Sequence, residues 1–211
     1  MPTLTTARGM ARHLDRLCAC TRCPAMQRPV VVGNPVVSRV LLIGQAPGAR
    51  EGPAGKPFAW TAGKVLFEWF GRIGIDEYRF RERVYMAAVC RCFPGKRPAG
   101  GDRVPSREEI ENCATWLATE FHLLTPELVI PVGKLATSRL LAVNRLDQVV
   151  GRRHRITSHG LTVDVIPLPH PSGASPWHRI EPGKSLLRHS LELIRAHPAW
   201  DGICRASTRP T

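Results

Sequence analysis

Apolar positions along the chain gather in short runs separated by longer amphipathic stretches. Val40 to Gly44 (VLLIG), Val84 to Val89 (VYMAAV), Leu128 to Val132 (LVIPV) and Leu161 to Ile166 (LTVDVI) are such runs. Most are closed by a nearby Gly or Pro, which predicts buried strands. Between them the apolar spacing turns helical. Thr61 to Gly71 carries Val65, Leu66, Trp69 and Phe70. Ser106 to Leu124 opens with Ser106 and Glu109 in capping-box spacing and repeats apolar side chains at Ile110, Cys113, Leu117 and Phe121. Further helices are predicted at Lys134 to Ala142 and Gly183 to Ala196. Strands alternating with helices predict a three-layer α/β/α sandwich around a mainly parallel four-stranded sheet. Ligands of such sheets sit beyond the carboxyl ends of the strands, where "LIGQAPG" and "IPLPHPSGAS" fall.

A chain of 211 residues with 43% hydrophobic content can bury one sizeable core. No linker or repeat divides it, so a single domain over 1–211 is expected, with its core at about 18–198 and a frayed tail over 201–211. Phe93 to Pro105 (FPGKRPAGGDRVP) reads as a long basic loop. The N-terminus lacks the apolar stretch of a secretion signal and no run is long enough to span a membrane. The expectation is a cytoplasmic, nucleoid-associated protein that uses no membrane.

Charge narrows the partner. Thirty Lys and Arg against 17 Asp and Glu leave a formal net charge of +13, mostly as Arg, whose planar fork suits phosphate oxygens. A polyanion is the default partner, although codon usage in GC-rich proteomes gives a similar composition. Seven cysteines in a reducing compartment favour metal or redox chemistry over disulfides. Cys18, Cys20 and Cys23 form C-x-C-x2-C, Cys90 and Cys92 form C-x-C, and Cys113 and Cys204 follow singly.

Four motifs taken in order, GQAPG, GKPFAWTAGKVL, VYMAAVCRCFPGKR and PLPHPSGAS, resemble those of the uracil-DNA glycosylase superfamily, nearest to its iron-sulfur families four and five. The resemblance covers roughly Cys20 to Ala196. It implies that Cys20, Cys23, Cys92 and Cys113 hold a [4Fe-4S] cluster, which requires four thiolates. Tetrahedral zinc on the same set is the alternative, although zinc sites usually pair two close knuckles. Cys18 is a minor competitor of Cys20, and Cys90 reads as a buried strand residue. The resemblance places Gly44, Gln45, Ala46, Phe58, Ala88 and His170 around an extruded base, with the Phe58 ring stacked on it. A core phenylalanine at a helix start is the plainer account of Phe58. His170, between two prolines, takes the position that stabilises the departing base, and Gln45 stands at the other catalytic position. Ser172 would hold a phosphate, while Trp177 or Arg179 would fill the gap left by the base. Lys96, Arg97 and Arg103 would follow the DNA path or, more plainly, form a solvated basic loop.

The chain also departs from these families. Gln45 replaces the glutamate of family four, Ala46 stands where family one has an aspartate, and Thr61 lies near the aspartate of family five. An amide cannot act as a general base, so no carboxylate of the GQAPG motif activates water. Glu51 is the nearest acid in sequence. Ala87-Ala88-Val89 lacks the asparagine with which family four reads uracil, as in family five, which tolerates deaminated purines. The Gln45 amide offers a donor and an acceptor in its place. Three readings follow. One is a monomeric DNA repair glycosylase for uracil, hypoxanthine or xanthine; the others are a non-catalytic binder of uracil-containing or damaged DNA, and an iron-sulfur redox protein.

Overall fold

The computed structural model describes residues 4–173 and 175–205. Its sheet has the strands β1 (Val40–Gly44), β2 (Tyr85–Ala88), β3 (Leu128–Pro131), β4 (His154–Ser158) and β5 (Leu161–Val165) in the order β2-β1-β3-β5-β4. The β1·β2, β1·β3 and β3·β5 pairs are parallel, and β4 runs antiparallel to β5. Helices cover both faces. Successive side chains of a strand point to opposite faces, so Val40 and Leu42 pack with α3 (Thr61–Gly71), α4 (Glu77–Arg83), α7 (Gly183–Arg195) and α8 (Pro198–Arg205). Leu41 and Ile43 pack on the other side with α1 (Leu4–Cys18), α5 (Arg107–Leu124) and α6 (Lys134–Ser138). Two apolar clusters thus sandwich the sheet.

The strand order positions the site. From β1 the chain crosses to its neighbour β2, then returns past β1 to β3 on the other side. The carboxyl end of β1 is therefore the point where connections diverge to opposite faces and leave a crevice. LIGQAPG runs into it.

Several expectations need correction. The sheet has five strands, because His154–Ser158 (HRITS) is a half-exposed edge strand without an apolar run to announce it. The helices α1, α2 (Glu51–Ala54), α4 and α8 were not predicted, and α6 stops at Ser138. The core begins before Cys18, since Met10, Leu14 and Leu17 of α1 are buried. Asp201 to Arg205, expected to fray, complete α8, which the buried Ala199 and Trp200 anchor. The rest of that tail lies outside the described residues. Among those residues no helix is long and apolar enough to cross a membrane.

One polar group lies at the centre of the α5 side. Glu120 is fully buried and accepts hydrogen bonds from the Tyr85 hydroxyl at 2.6 Å and His13 Nε2 at 3.3 Å. It also forms an ion pair with buried Arg91. Helix α1, β2, the turn after β2 and α5 meet at this one carboxylate.

Candidate active site

Past the end of β1 the backbone continues as if the sheet went on. Val89 N–H donates to Gly44 O at 2.9 Å and Cys90 N–H to Gln45 O at 3.0 Å, while Gly44 is in register with Ala88. Gly44, Gln45 and Ala88 therefore form one floor, and Ala46, next in the loop, packs toward the α5-side core. The Phe58 ring stands over that floor: a methyl group on Gly44 would come within 3.1 Å of two ring carbons. Phe58 is half-buried and holds a positive φ of 53°, a conformation that costs an aromatic residue on the order of 1–3 kcal/mol. The surroundings enforce it. Arg81 donates to the carbonyls of Pro57 (2.9 Å) and Phe58 (3.1 Å), and the Glu51 carboxylate accepts from the amides of Gly48 (3.0 Å), Phe58 and Ala59. Burial pushes the Glu51 pKa up against those bonds. Glu51 ties the GQAPG loop to the Phe58 loop.

Gly63 completes the fit, because a Cβ there would lie 1.8 Å from Phe58 O. Gly63→Ala is expected to unseat Phe58 and lower stability by roughly 1–3 kcal/mol, read as a shifted denaturant midpoint.

His170 follows β5. The backbone extends it through Leu168, which bridges Val132 and accepts from Gly133 N–H at 2.8 Å. The imidazole lies on Gly133, where a methyl group would meet its Cδ2 at 3.1 Å. Ser172 N–H donates to His170 Nδ1 at 3.2 Å, so the proton of the neutral ring sits on Nε2. Burial lowers its pKa; Asp102 pulls it up and His178 adds to the lowering. The result is a neutral imidazole with a fixed Nε2–H donor.

Sequence reasoning missed Asp102. The Phe93 to Pro105 segment holds a hairpin in which Arg103 N–H bonds Gly95 O at 2.8 Å, and Lys96 pairs with Asp102 in both backbone and side chain, Nζ to Oδ1 at 2.6 Å. Arg103 anchors the hairpin. Its guanidinium donates to Pro94 O at 2.8 Å and to both carboxylate oxygens of Glu109 at 2.7 and 2.8 Å, and Arg103, most of all, holds the Glu109 pKa down. Glu109 also closes the capping box of α5 with Ser106. Arg103, expected on the DNA path, is thus a structural tie, whereas Lys96 and Arg97 are exposed. Asp102 Oδ2 faces the GQAPG loop, 3.3 Å from where a methyl group on Gly48 would be.

In the loop after His170, Ser172 is half-buried and Arg179, exposed, donates to His178 at 3.3 Å. The Trp177 ring is packed on the backbone of Gly183. Ile180, 58% exposed, is the apolar side chain this loop offers to solvent.

On the other side of the sheet Cys20, Cys23, Cys92 and Cys113 line a single cavity of about 270 Å³, together with Arg22, Arg28 and Arg91. Cys90 and Cys113 influence each other directly: the neighbouring Cys90 thiol holds Cys113 below the ordinary thiol value, and Cys113 together with burial pushes Cys90 up. Burial and the other thiols raise Cys92 to about 11. Cys18 ends α1 in solvent, outside the cavity lining. Among the described residues no tight group of three or more His, Cys, Asp or Glu is arranged to hold a single ion.

A sequence model of the uracil DNA glycosylase superfamily matches residues 30–190. The chain belongs to this superfamily. It is 31% identical over 168 residues to the type-4 uracil-DNA glycosylase of Thermotoga maritima, covering 75% of this chain and 79% of that protein. It is 29% identical over 161 residues to the type-4 enzyme of Pyrobaculum aerophilum, covering 72% and 78%. With the type-5 uracil-DNA glycosylase of Thermus thermophilus it shares 33% over 132 residues, covering 56% and 57%. In the superfamily fold seen here, the residues singled out from the motifs fall into two places. Gly44, Ala88 and Phe58 meet at the crevice, with Gln45, Ala46 and His170 on the loops that leave its strands; the four cysteines meet at the cavity. Glu51 and Asp102 gave no local signal, since each works through a loop fold.

Proposed function

We propose that this chain, a DNA N-glycosylase through its superfamily, removes uracil, and other deaminated bases of similar edge, from DNA by flipping the base between Phe58 and the floor of Gly44, Gln45 and Ala88. The observation that carries the reading is His170. Its Nδ1 is occupied by the Ser172 amide and its buried ring is neutral, so Nε2–H is a donor with no reorganisation to undergo. Such a donor stabilises the negative charge that gathers on a departing base. The Gln45 amide reads the base edge, and exposed Trp60, with the Arg50 guanidinium 5.5 Å from its ring, and Lys96 and Arg97 supply DNA contacts at the rim.

Cys20, Cys23, Cys92 and Cys113 fit a [4Fe-4S] cluster. They are four thiols at one cavity, and the charges of Arg28 and Arg91 in its wall favour the thiolates of Cys92 and Cys113. A zinc ion draws its sulfurs to about 2.3 Å and would leave such a space unfilled. Bound there, the cluster supplies a cross-link among the segment after α1, the turn after β2 and α5. Cys113→Ser is expected to remove most of the bound iron and acid-labile sulfide and to lower the thermal midpoint, checked by iron analysis and visible absorption.

The test of function is incubation with labelled oligonucleotides carrying uracil, hypoxanthine or xanthine in single and double strands, followed by alkaline cleavage. Scission names the base. Tight binding without scission would identify a damage-binding protein instead.

A further inference from the structure

The GQAPG loop carries no carboxylate, and Glu51, its nearest acid in sequence, is occupied by the amides of Gly48, Phe58 and Ala59. A different acid reaches the same loop from a distant part of the chain. Asp102 is placed by a hairpin whose ends are hydrogen-bonded to each other and whose Arg103 is clamped to the first turn of α5. Lys96 fixes its Oδ1 at 2.6 Å, and Oδ2 is turned to Gly48. Its charge reaches His170. Its side chain is open to solvent on one face, so water has access to it.

We propose that Asp102 is the water-activating carboxylate of this protein, taking from the hairpin the role that the GQAPG loop cannot fill. The inference rests on the glycosylase reading. As the bond from C1′ to the base nitrogen breaks, its electron pair leaves with the base, whose developing charge His170 Nε2–H stabilises. The water oxygen forms the new bond to C1′, one water proton passes to the Asp102 carboxylate and on to solvent, and the base anion takes up a proton from solvent. The products are the free base and an abasic sugar. The Lys96 ammonium, 2.6 Å from Oδ1, aims the carboxylate, and a weak base suffices because a dissociative transition state needs little push from the nucleophile.

The experiment compares wild type with Asp102→Asn, Asp102→Glu and Asp102→Ala on the uracil oligonucleotide that wild type cleaves best, under single turnover, with DNA affinity and thermal midpoint measured in parallel. Asp102→Asn is expected to be slower by at least about 10²-fold, with DNA affinity and midpoint close to wild type. Asp102→Glu is expected to recover part of the rate, and added formate to restore Asp102→Ala, a rescue that a merely structural role would not allow. An Asp102→Asn rate within a few-fold of wild type, or a loss that tracks the midpoint and ignores formate, would overturn the assignment. A wild-type protein that binds uracil-containing DNA and cleaves none would overturn the glycosylase reading, and the role of Asp102 with it; the two failures are read from different samples.

Discussion

Replacing His170 by alanine is expected to slow base release by roughly 10²- to 10³-fold under single turnover, the usual consequence of deleting one preorganised donor to a developing anion. DNA affinity should change little, because the hydrogen bond gains its strength only as charge moves onto the base. The pH profile carries a second expectation. Burial holds the His170 pKa below its ordinary value, so the ring stays neutral where a free histidine, with a pKa near 6.5, would begin to protonate. The rate should therefore stay level as pH falls through about 6.5 and drop only further into acid. A rate that rises on protonation near 6.5 would show that an imidazolium does the work.

Glu120→Ala is expected to cost about 3–5 kcal/mol, the penalty for leaving a buried charge without its partner, here Arg91. For a domain of about this size each kcal/mol moves the thermal midpoint by about 2–4 °C, so a fall of roughly 6–20 °C should be seen by calorimetry. Glu120→Gln would keep the shape and still leave the guanidinium unpaired. The loss has a pH counterpart. Burial alone would raise the Glu120 pKa, but Arg91, His13 and Tyr85 outweigh it and hold it below its ordinary value. Its contribution is fully present above the unfolded carboxylate pKa near 4.3 and is lost as pH falls through the lower folded value. Because Arg91 also lines the cysteine cavity, Glu120→Ala should in addition weaken iron retention.

The parts legible in the sequence were those in which a local pattern and a fold-level need coincide. The runs at Val40 and Leu128 are apolar on every residue because both faces of a central parallel strand are buried, and their alternate side chains divide cleanly between the two cores. The Ser106 and Glu109 capping box announced α5 and is made in the structure with both reciprocal bonds. Edge strand β4 escaped because an edge needs only half-burial, so its sequence alternates with charges and histidine and carries no run. Helix α8 escaped because its anchors, Ala199 and Trp200, are too few to form a period and gain their meaning only from Phe70 and Phe80 across the core.

The amino-acid sequence by itself determined which chemistry this chain carries. The alternation of the central strands with helices, the four spaced cysteines, the imidazole between two prolines and the missing acid in GQAPG are all properties of residue type and spacing, set before any folding. The tertiary structure alone decided which groups share a site. Asp102 lies 54 residues beyond Gly48 and reaches its loop only through a hairpin clamped by Arg103 and Glu109. Glu51 became a tie for Phe58, and not a free acid, because three backbone amides converge on it. Hydrogen bonds and ion pairs depend on distances of a few ångströms, and sequence separation carries no record of those distances until the layers of the sandwich have packed.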